Sequence, residues 1–268
     1  MPGKNTLSIS HRRLLAMISP RTPTFAAALV FLVFAVAGCS SSNRTFESHE
    51  PTDIAQLVLP SDRNIPAHPD SLDQAQVAEE KDRIKVVAED SYEEIVRNWS
   101  AQRLTRISRL KQSFVTDYAT FWGMDPSILS LEIETGLSGL TKDKALEMIE
   151  KRKAEVRKEI QIDVYWFSSP SSVAVSAPTA FLRIDDNTRY PSTRRDVGAL
   201  QDGFLPGGRS VLYRRITYYF ARERDGNDIL EGATSIEMQV GLSLGGALFR
   251  WNWNDLVPEA ESTAAPAR

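Results

Sequence analysis

The chain has 268 residues, a single cysteine, and 32 Lys and Arg residues against 35 Asp and Glu, which gives a formal net charge of −3. The four basic residues before Cys39 have no acidic counterpart, so the chain from Cys39 onward holds 28 basic and 35 acidic residues, a net charge of −7. A mildly acidic chain has no overall electrostatic footprint for nucleic acid, and one cysteine excludes an internal disulfide. We therefore expect no nucleic-acid partner.

The first 38 residues have the layout of an export signal. Four basic residues precede an uninterrupted run of thirteen apolar residues, Phe25 to Ala37, and the small residue Gly38 follows. A helix of that length rises only about 20 Å, which is less than the roughly 30 Å hydrocarbon core of a bilayer. The run is therefore typical of a cleaved signal peptide and not of a transmembrane anchor.

The four residues Val36-Ala37-Gly38-Cys39 resemble the lipobox of bacterial lipoproteins. The resemblance implies cleavage before Cys39 and a thiol that carries acyl chains such as palmitate, which would hold the protein to a membrane. The alternatives are a buried thiol, half of a disulfide, or a chance cysteine after an ordinary signal. Ser40 is not the aspartate that retains lipoproteins at the inner membrane in the enterobacterial pattern. We therefore expect a cell-envelope protein, with the outer membrane favoured.

The segment after the signal divides into a predicted tether and a predicted helical region. Residues 39–70 contain four prolines among polar residues, which favours a flexible tether. Residues 71–159 are predicted to be helical, because Ser71–Trp122 lacks Gly and Pro and repeats apolar residues at helical spacing. A coiled coil that pairs with a second copy is the alternative for this first part. Asp125 and Gly136 are typical of the start and end of a short helix, and Thr141 of the cap of another that reaches Glu159.

The apolar period changes to two at Ile160, and residues 160–254 are predicted to form strands. Turn residues at Asp225–Asp228 and at Gly245-Gly246 separate these strands, and the second turn is typical of a tight hairpin. Short strands with polar outer faces favour an antiparallel β-sandwich of immunoglobulin-like type. The predicted class is therefore α+β, a helical region followed by a sandwich, with a disordered tail at 255–268.

No residue pattern indicates a catalytic site, a metal site or a cofactor site. Beyond the signal, the histidines are His49 and His68, and both fall in the predicted tether, which argues against a His-based metal site or a catalytic triad. Asp185, Asp186 and Asn187 offer oxygen ligands for calcium, but turns commonly contain these residues and the spacing does not match a calcium loop. We expect no bound metal or cofactor.

A group of arginines and tyrosines in the strand region is the candidate contact surface for a partner. These residue types are enriched in the binding hot spots of protein interfaces, although they also occur on ordinary solvated sheet faces. The candidates are Arg189, Tyr190, Arg194, Arg195, Arg209, Tyr213, Arg215 and Tyr219. The expected partner is an envelope protein, lipid head groups or cell-wall polymer.

Two functions follow from these patterns. The first is a lipid-anchored envelope protein that acts as a non-catalytic interaction or structural module. The alternative is an envelope hydrolase or solute-binding subunit with a cleft of carboxylates and arginines between the helices and the sheet. A deep pocket with converging acidic side chains and perturbed pKa values favours the alternative, whereas a shallow Arg and Tyr patch favours the first.

Overall fold

The computed structural model describes residues 50–104, 115–168, 171, 178–184, 188–241 and 246–253, all within one compact unit, Arg44–Arg268. The predicted signal peptide, Cys39 and the predicted tail lie outside the described residues. The class is α+β, as predicted, with several helices and a majority of strands. In the part of the chain that is described, no helix is both long enough and apolar enough to cross a membrane.

Four α-helices and one 3-10 helix are described. The helices are α1 (Pro51–Ala55), α2 (Tyr92–Asn98), α3 (Met124–Thr135), the 3-10 helix (Leu137–Gly139) and α4 (Lys142–Lys158). The strands are β1 (Asp62–Asn64), β2 (Ala75–Glu80), β3 (Arg83–Ala88), β4 (Ser100–Gln102), β5 (Tyr118–Phe121), β6 (Glu159–Trp166), β7 (Ala180–Ile184), β8 (Thr188–Pro191), β9 (Arg194–Phe204), β10 (Ser210–Ala221), β11 (Glu223–Arg224), β12 (Asn227–Asp228), β13 (Ser235–Val240) and β14 (Ala247–Asn252).

The strands form two five-stranded sheets and two small hairpins. Sheet I has the order β1-β14-β13-β7-β8, and sheet II has the order β4-β5-β6-β10-β9. Neighbouring strands are antiparallel except for β1 and β14, which are parallel. The hairpins β2–β3 and β11–β12 stand outside these sheets.

Side chains from the facing surfaces of the two sheets share one hydrophobic core. Trp251 of sheet I contacts Phe121 of sheet II with ring centroids 5.9 Å apart, and its indole N–H donates to the carbonyl of Trp99 at 3.0 Å. The hydroxyl of Tyr218 on β10 donates to the carbonyl of Pro178 at 3.0 Å, just before β7. Because strand side chains alternate, the next residues of β6 and β10 point to the opposite face of sheet II, which is the outer face.

Helices α3 and α4 belong to that outer side, and both agree with the predictions. Helix α3 ends at Gly136, which has a φ of 60°. This is the left-handed conformation that glycine adopts without strain. Helix α4 follows Thr141, buries Ala145 and Ile149 one turn apart, and carries exposed pairs such as Lys144 with Glu147. The charged helix is therefore amphipathic, with its apolar side against the core.

The prediction that Ser71–Trp122 is helical is wrong for most of its described part. In the described part of this stretch, only α2 is an α-helix, and the structure otherwise has the hairpin β2–β3 and the short strands β4 and β5. The turn between β2 and β3 is made by Lys81, whose φ of 56° lies in the left-handed region. Asp82 is the one residue of this turn that is common in turns, and no glycine or proline accompanies it, so the turn signal in the sequence is weak.

The prediction of a flexible tether over 39–70 is wrong for its described part. Ile54 in α1 is fully buried, and Ile65 and Ala67 are buried in the same core. Strand β1 pairs with the last strand of sheet I. The large sheets therefore take β1, β4 and β5 from before residue 160, so the sheet region is not confined to 160–254 as predicted.

The strand predictions after Ile160 agree with the structure where it is described. Strands β13 and β14 pair antiparallel with Val240 opposite Ala247, and their buried residues alternate as expected. The turn at Asp225 and Gly226, with φ of 53° and 82°, joins β11 to β12. Gly245, Asp185 and the predicted tail lie outside the described residues.

Candidate functional site

A cleft of about 740 Å³ lies against the outer face of sheet II. Strands β6, β9 and β10 form its floor, helices α3 and α4 contribute side chains to its wall, and α1 and α2 add one residue each. The lining residues are Pro51, Tyr92, Trp122, Ser127, Ser130, Ile133, Glu134, Arg152, Glu155, Val156, Lys158, Glu159, Gln161, Asp163, Tyr165, Arg194, Gln201, Arg215 and Tyr219. The volume is typical of small-molecule sites, which span about 300–1,000 Å³.

Asp163 on β6 is the buried carboxylate of the floor, with 1% of its surface exposed. Its Oδ1 accepts a hydrogen bond of 3.4 Å from the amide of Gln161, and its Oδ2 lies 3.8 Å from a guanidinium nitrogen of Arg215. Burial raises the pKa of Asp163, and the opposing charge of Arg215 acts at too long a distance to cancel this effect. Asp163 therefore holds a proton at higher pH than an exposed aspartate does.

Arg215 and Tyr165 flank this carboxylate. Burial acts to lower the pKa of Arg215, but the nearby Asp163 and Tyr165 outweigh it, and the net shift is upward. Burial raises the pKa of Tyr165, and the charge of Asp163 adds to that shift. Both groups therefore keep their protons at neutral pH, and both can donate hydrogen bonds to a molecule in the cleft.

Arg152 reaches into the cleft from α4 and connects this helix to α3. One terminal nitrogen donates to the carbonyl of Ser127 at 3.1 Å and to the hydroxyl of Ser130 at 2.9 Å. The other donates to Glu134 at 2.8 Å, and Nε lies 3.4 Å from Glu155. Four contacts fix the planar guanidinium, so its charge is held in place along the wall.

A second arginine, Arg194, lies on the β9 side of the cleft. The guanidinium of Arg194 stacks on the ring of Tyr219, 3.2 Å from its centroid, and pairs with Glu159 and Asp196 at 3.2 Å each. Burial raises the pKa of Tyr219. Because the Arg194 side chain is half exposed, these ion pairs add little stability and leave the charge accessible from solvent.

Tyr92 is the contribution of α2 to the lining. It is the first residue of the helix, which Ser91 caps by accepting a 3.2 Å hydrogen bond from the backbone N–H of Glu94. Tyr92 is 6% exposed, and burial raises its pKa, with the charges of Glu134 and Asp163 adding to the shift. This hydroxyl is therefore a third neutral hydrogen-bonding group on the cleft surface.

The arrangement combines fixed cations, neutral hydroxyls and a single buried carboxylate. Among the lining carboxylates, Glu134 and Glu155 contact Arg152, Glu159 contacts Arg194, and only Asp163 is buried. Such a surface can bind a small polar molecule through hydrogen bonds and charge contacts. Within the described ranges, no group of three or more His, Cys, Asp or Glu side chains is placed to hold a metal ion.

The structure brings three of the eight predicted contact residues to the cleft, namely Arg194, Arg215 and Tyr219. Tyr213 lies on the same face of β10, but it is buried against Phe167, with ring centroids 5.3 Å apart. The group therefore does not form one flat patch, and part of it belongs to a pocket.

The other four predicted contact residues lie elsewhere. Arg189 and Tyr190 are on β8 of sheet I, and Arg224 covers the Tyr190 ring at 5.4 Å. Arg195 pairs with Tyr218 in the β9–β10 register, which places it on the inner side of sheet II, and Arg209 is in the turn of that hairpin. Of the calcium candidates, Asp185, Asp186 and Asn187 lie outside the described residues.

The sequence interpretation missed Asp163, Arg152 and Glu134 as site residues. Two signals were present. Arg152 falls on the same side of α4 as Ala145 and Ile149, where a charge needs a partner in the core. Asp163 occurs in the middle of the apolar strand β6, where a solvated turn carboxylate is not expected.

No family model, no curated protein and no solved structure matches this chain. The function is therefore inferred from the residues and their geometry alone.

Proposed function

We propose that the protein is a lipid-anchored cell-envelope protein whose folded part binds a small polar solute in the cleft, without catalysis. The observation that supports solute binding is the buried Asp163 with Arg215 and Tyr165 on the floor of a 740 Å³ space. Membrane attachment is supported by the lipobox residues that end at Cys39. The proposal joins the two functions that the sequence left open, a membrane-held module and a binding cleft.

Binding is favoured because the polar groups of the cleft add little to stability. A buried ion pair is often no more stabilising than apolar residues of the same volume. An interface that only attached helices to a sheet would be served equally well by apolar side chains. Charges and hydroxyls that converge on one space are instead what orients a ligand, as in small-molecule sites generally.

The alternative of an envelope hydrolase rests on the raised pKa of Asp163, which is a property of general acids and bases. Hydrolysis by two carboxylates, as in glycosidases, needs a second carboxylate that is available as a nucleophile or base. Glu134, Glu155 and Glu159 are each held by an arginine. This pairing favours binding over hydrolysis.

We also infer that the two sheets form an immunoglobulin-like sandwich. Such folds pack two antiparallel sheets and join their strands by Greek-key connections, so that strands distant in sequence are neighbours in a sheet. The orders β1-β14-β13-β7-β8 and β4-β5-β6-β10-β9 follow this pattern, with β6–β10 and β13–β7 at the centres. The absence of a disulfide limits the likeness to architecture.

The anchor is tested by replacing Cys39 with Ser in the native host. We expect the wild-type protein in the membrane fraction, with an acylated residue 39 as its first residue, and we expect Cys39→Ser to be released or left uncleaved. Fractionation gives the location of each protein, and mass spectrometry of the purified protein identifies its first residue and the acylation of that residue. A wild-type chain with an unmodified thiol would remove the membrane part of the proposal.

Solute binding is tested by thermal unfolding of the Cys39→Ser chain with separate panels of amino acids, sugars, sugar phosphates and dicarboxylates. A bound compound at 100 times its Kd stabilises the fold by about 2.7 kcal/mol, which raises Tm by roughly 5–10 °C. We expect Asp163→Asn to abolish this shift. Asp202→Asn is the matched control, because Asp202 is exposed on strand β9 of the same sheet, is opposite Leu212 on the side away from the cleft, and does not line the cleft. Equal responses of the two variants would contradict the site.

A further inference from the structure

The β9–β10 hairpin carries an exposed apolar face. We call this the hairpin face and define it by Val197, Leu200, Phe204 and Leu212, which are 41%, 40%, 65% and 45% exposed. The eight large exposed apolar residues in the described part of the chain include these four. Half of the exposed apolar side chains therefore lie on one hairpin.

These four residues share a side of sheet II. In the register of the hairpin, Val197 is opposite Ile216, Leu200 is opposite Arg214, and Leu212 is opposite Asp202. Residues two apart on β10 point the same way, so Leu212 lies on the same side as Ile216. Ile216 is fully buried between the sheets, whereas Leu212 is 45% exposed. The hairpin therefore extends beyond the cover that sheet I provides.

The hairpin also carries positive charge within an acidic protein. From Arg194 to Ala221 it contains five arginines and two aspartates, a net charge of +3, while the chain from Cys39 onward has a net charge of −7. The side chains of Arg195 and Arg214 point to the same side of sheet II as the side chains of the hairpin face. An apolar strip flanked by arginines is complementary to an anionic lipid surface, where the apolar groups enter the head-group region and the cations meet phosphates.

The folded part begins next to this hairpin. The methyl group of Thr52 packs so closely on Gly203 that a Cβ at Gly203 would lie 2.3 Å from it. Glu50, the first described residue, is therefore close to the edge strand β9, on the cleft side of sheet II that Pro51 also lines. Cys39 precedes Glu50 by eleven positions, and eleven residues span at most about 40 Å. A lipid on Cys39 would thus keep this end of the domain near the bilayer.

We propose that the hairpin face docks on an anionic lipid bilayer and so orients the domain against the membrane that the Cys39 lipid holds. This inference rests in part on the proposed anchor. The cleft is on the opposite side of sheet II from the hairpin face, so docking through that face leaves the cleft uncovered.

The experiment uses the mature chain, residues 39–268, with Cys39→Ser, so that no lipid contributes. Sedimentation with vesicles of phosphatidylglycerol and phosphatidylcholine, at low salt, measures the partition coefficient. We expect binding to weaken when the phosphatidylglycerol fraction is lowered and when salt is added. Phe204→Ser is expected to lower the partition coefficient by about tenfold, because a single large apolar side chain leaves the interface.

The matched control is Leu146→Ser, which is to be compared with Leu212→Ser. Leu146 on α4 is 36% exposed, close to the 45% of Leu212, but it is not on the hairpin. We expect Leu212→Ser to weaken vesicle binding and Leu146→Ser to leave it unchanged, while Tm stays the same in both. Equal effects of the two variants, or no binding of the parent chain to anionic vesicles, would overturn the proposal.

A second copy of the chain is the competing occupant, because β9 is an edge strand with apolar side chains. Light scattering of the same Cys39→Ser chain separates the two. A monomer that binds vesicles supports lipid docking, whereas a dimer that Phe204→Ser converts to a monomer overturns it. Failure of vesicle binding would leave the Cys39 anchor standing, since mass spectrometry of the native protein tests that modification independently.

Discussion

Both faces of sheet II pack against other elements at the centre of the sheet, but they are built from different side chains. The inner face, which meets sheet I, presents Ile162, Ile216 and Phe121, and all three are apolar and buried. The outer face, which meets the helices, presents Asp163 and Thr217 on the neighbouring positions of the same strands. Because alternate residues of one strand supply both faces, the difference is one of sequence and not of location in the fold.

The comparison indicates which face determines stability and which is available for function. Apolar burial is the main favourable contribution to folding, and the inner face supplies it. A buried carboxylate with a raised pKa opposes folding at neutral pH, so the outer face keeps Asp163 at an energetic disadvantage. We therefore expect substitutions on the inner face to destabilise strongly, and the removal of charge from the outer face to be tolerated.

The largest expected effect is that of Trp251→Ala on the inner side of sheet I. This substitution removes a fully buried indole, its contact with Phe121 and its hydrogen bond to Trp99, and we expect a loss of about 4 kcal/mol in the free energy of unfolding. Trp251→Phe keeps a ring and loses the N–H donor, so its loss should be about half as large. Urea unfolding followed by circular dichroism measures both.

Val87→Ala is the control for this measurement, because Val87 is 40% exposed on β3 and should change the free energy of unfolding by less than about 0.5 kcal/mol. A Trp251→Ala variant as stable as this control would show that the two sheets do not depend on their shared core.

A buried charge outside the cleft gives the next largest effect. Arg222 is 3% exposed and binds two carboxylates, those of Asp70 and Asp228, through both terminal nitrogens. Burial acts to raise the pKa of Asp70, but the hydrogen bonds and the charge of Arg222 outweigh it, and the pKa is lowered. Unlike Asp163, these carboxylates are fully paired, so this cluster connects the segment before β2 to the end of β10.

We expect Arg222→Ala to lower the free energy of unfolding by about 3 kcal/mol, since it leaves two carboxylates without their cation. Arg224→Ala two residues away is the control, because Arg224 is 54% exposed, lies 3.8 Å from Asp225 and covers the ring of Tyr190 at 5.4 Å, so its charge stays solvated. The same urea experiment compares them. If both variants had the same small effect, the ion pairs of the buried Arg222 would contribute no more to stability than the exposed charge of Arg224.

The parts of the fold that the sequence predicted are those with local signals. Helix α4 has a capping position and spaced apolar residues, and β13–β14 has strict alternation. Strand β5 has four residues that are all buried, and the β2–β3 turn uses Lys81 in place of glycine. The burial of both faces of β5 depends on contacts with distant segments, and the β2–β3 turn places an uncommon residue type at a left-handed position, so a pattern of neighbouring residues could not indicate either feature.

The candidate site was predictable only in part, for a related reason. The odd-numbered positions of β10 place Tyr213, Arg215 and Tyr219 on one face, and alternation alone gives this grouping. Arg189 and Tyr190 are close in sequence to Arg194, but they belong to sheet I because the chain crosses between sheets after β8. Such a crossing is a property of the topology, and no residue type between β8 and β9 predicts it.

The pH dependence of stability is a smaller effect, and it distinguishes a carboxyl group with a raised pKa, Asp125, from one with a lowered pKa, Asp70. Burial raises the pKa of Asp125, at the start of α3, to about 6, although its Oδ1 accepts hydrogen bonds from the backbone N–H of Gln74 and Ala75. The folded state therefore binds more protons than the unfolded state between pH about 4 and 6. The stability from this group is present below pH about 4 and is lost as the pH rises through 6.

We expect the free energy of unfolding to fall by about 2 kcal/mol from pH 4.5 to 6.5, and we expect the decrease to be smaller in Asp125→Asn. Asp70 has the opposite sign, because its lowered pKa makes its contribution disappear only as the pH falls below about 4. Urea unfolding at several pH values in that window measures the slope. A slope that is unchanged in Asp125→Asn would assign the pH dependence to other groups.

The smallest expected change in stability is also the one that tests the comparison most directly. Asp163→Asn keeps the size and one acceptor of the side chain and removes the carboxylate charge of Asp163. Burial raises the pKa of this carboxyl group in the folded state. The wild-type contribution is lost as the pH rises through the folded pKa, so the substitution should stabilise the protein at pH 7 and above, by on the order of 1 kcal/mol. Arg215 tolerates the loss of its partner because its side chain is 55% exposed and remains solvated.

Asp196→Asn on the same sheet should change nothing measurable in urea unfolding. A destabilised Asp163→Asn would mean that the carboxylate holds the helices to sheet II, and the outer face would then be structural like the inner one.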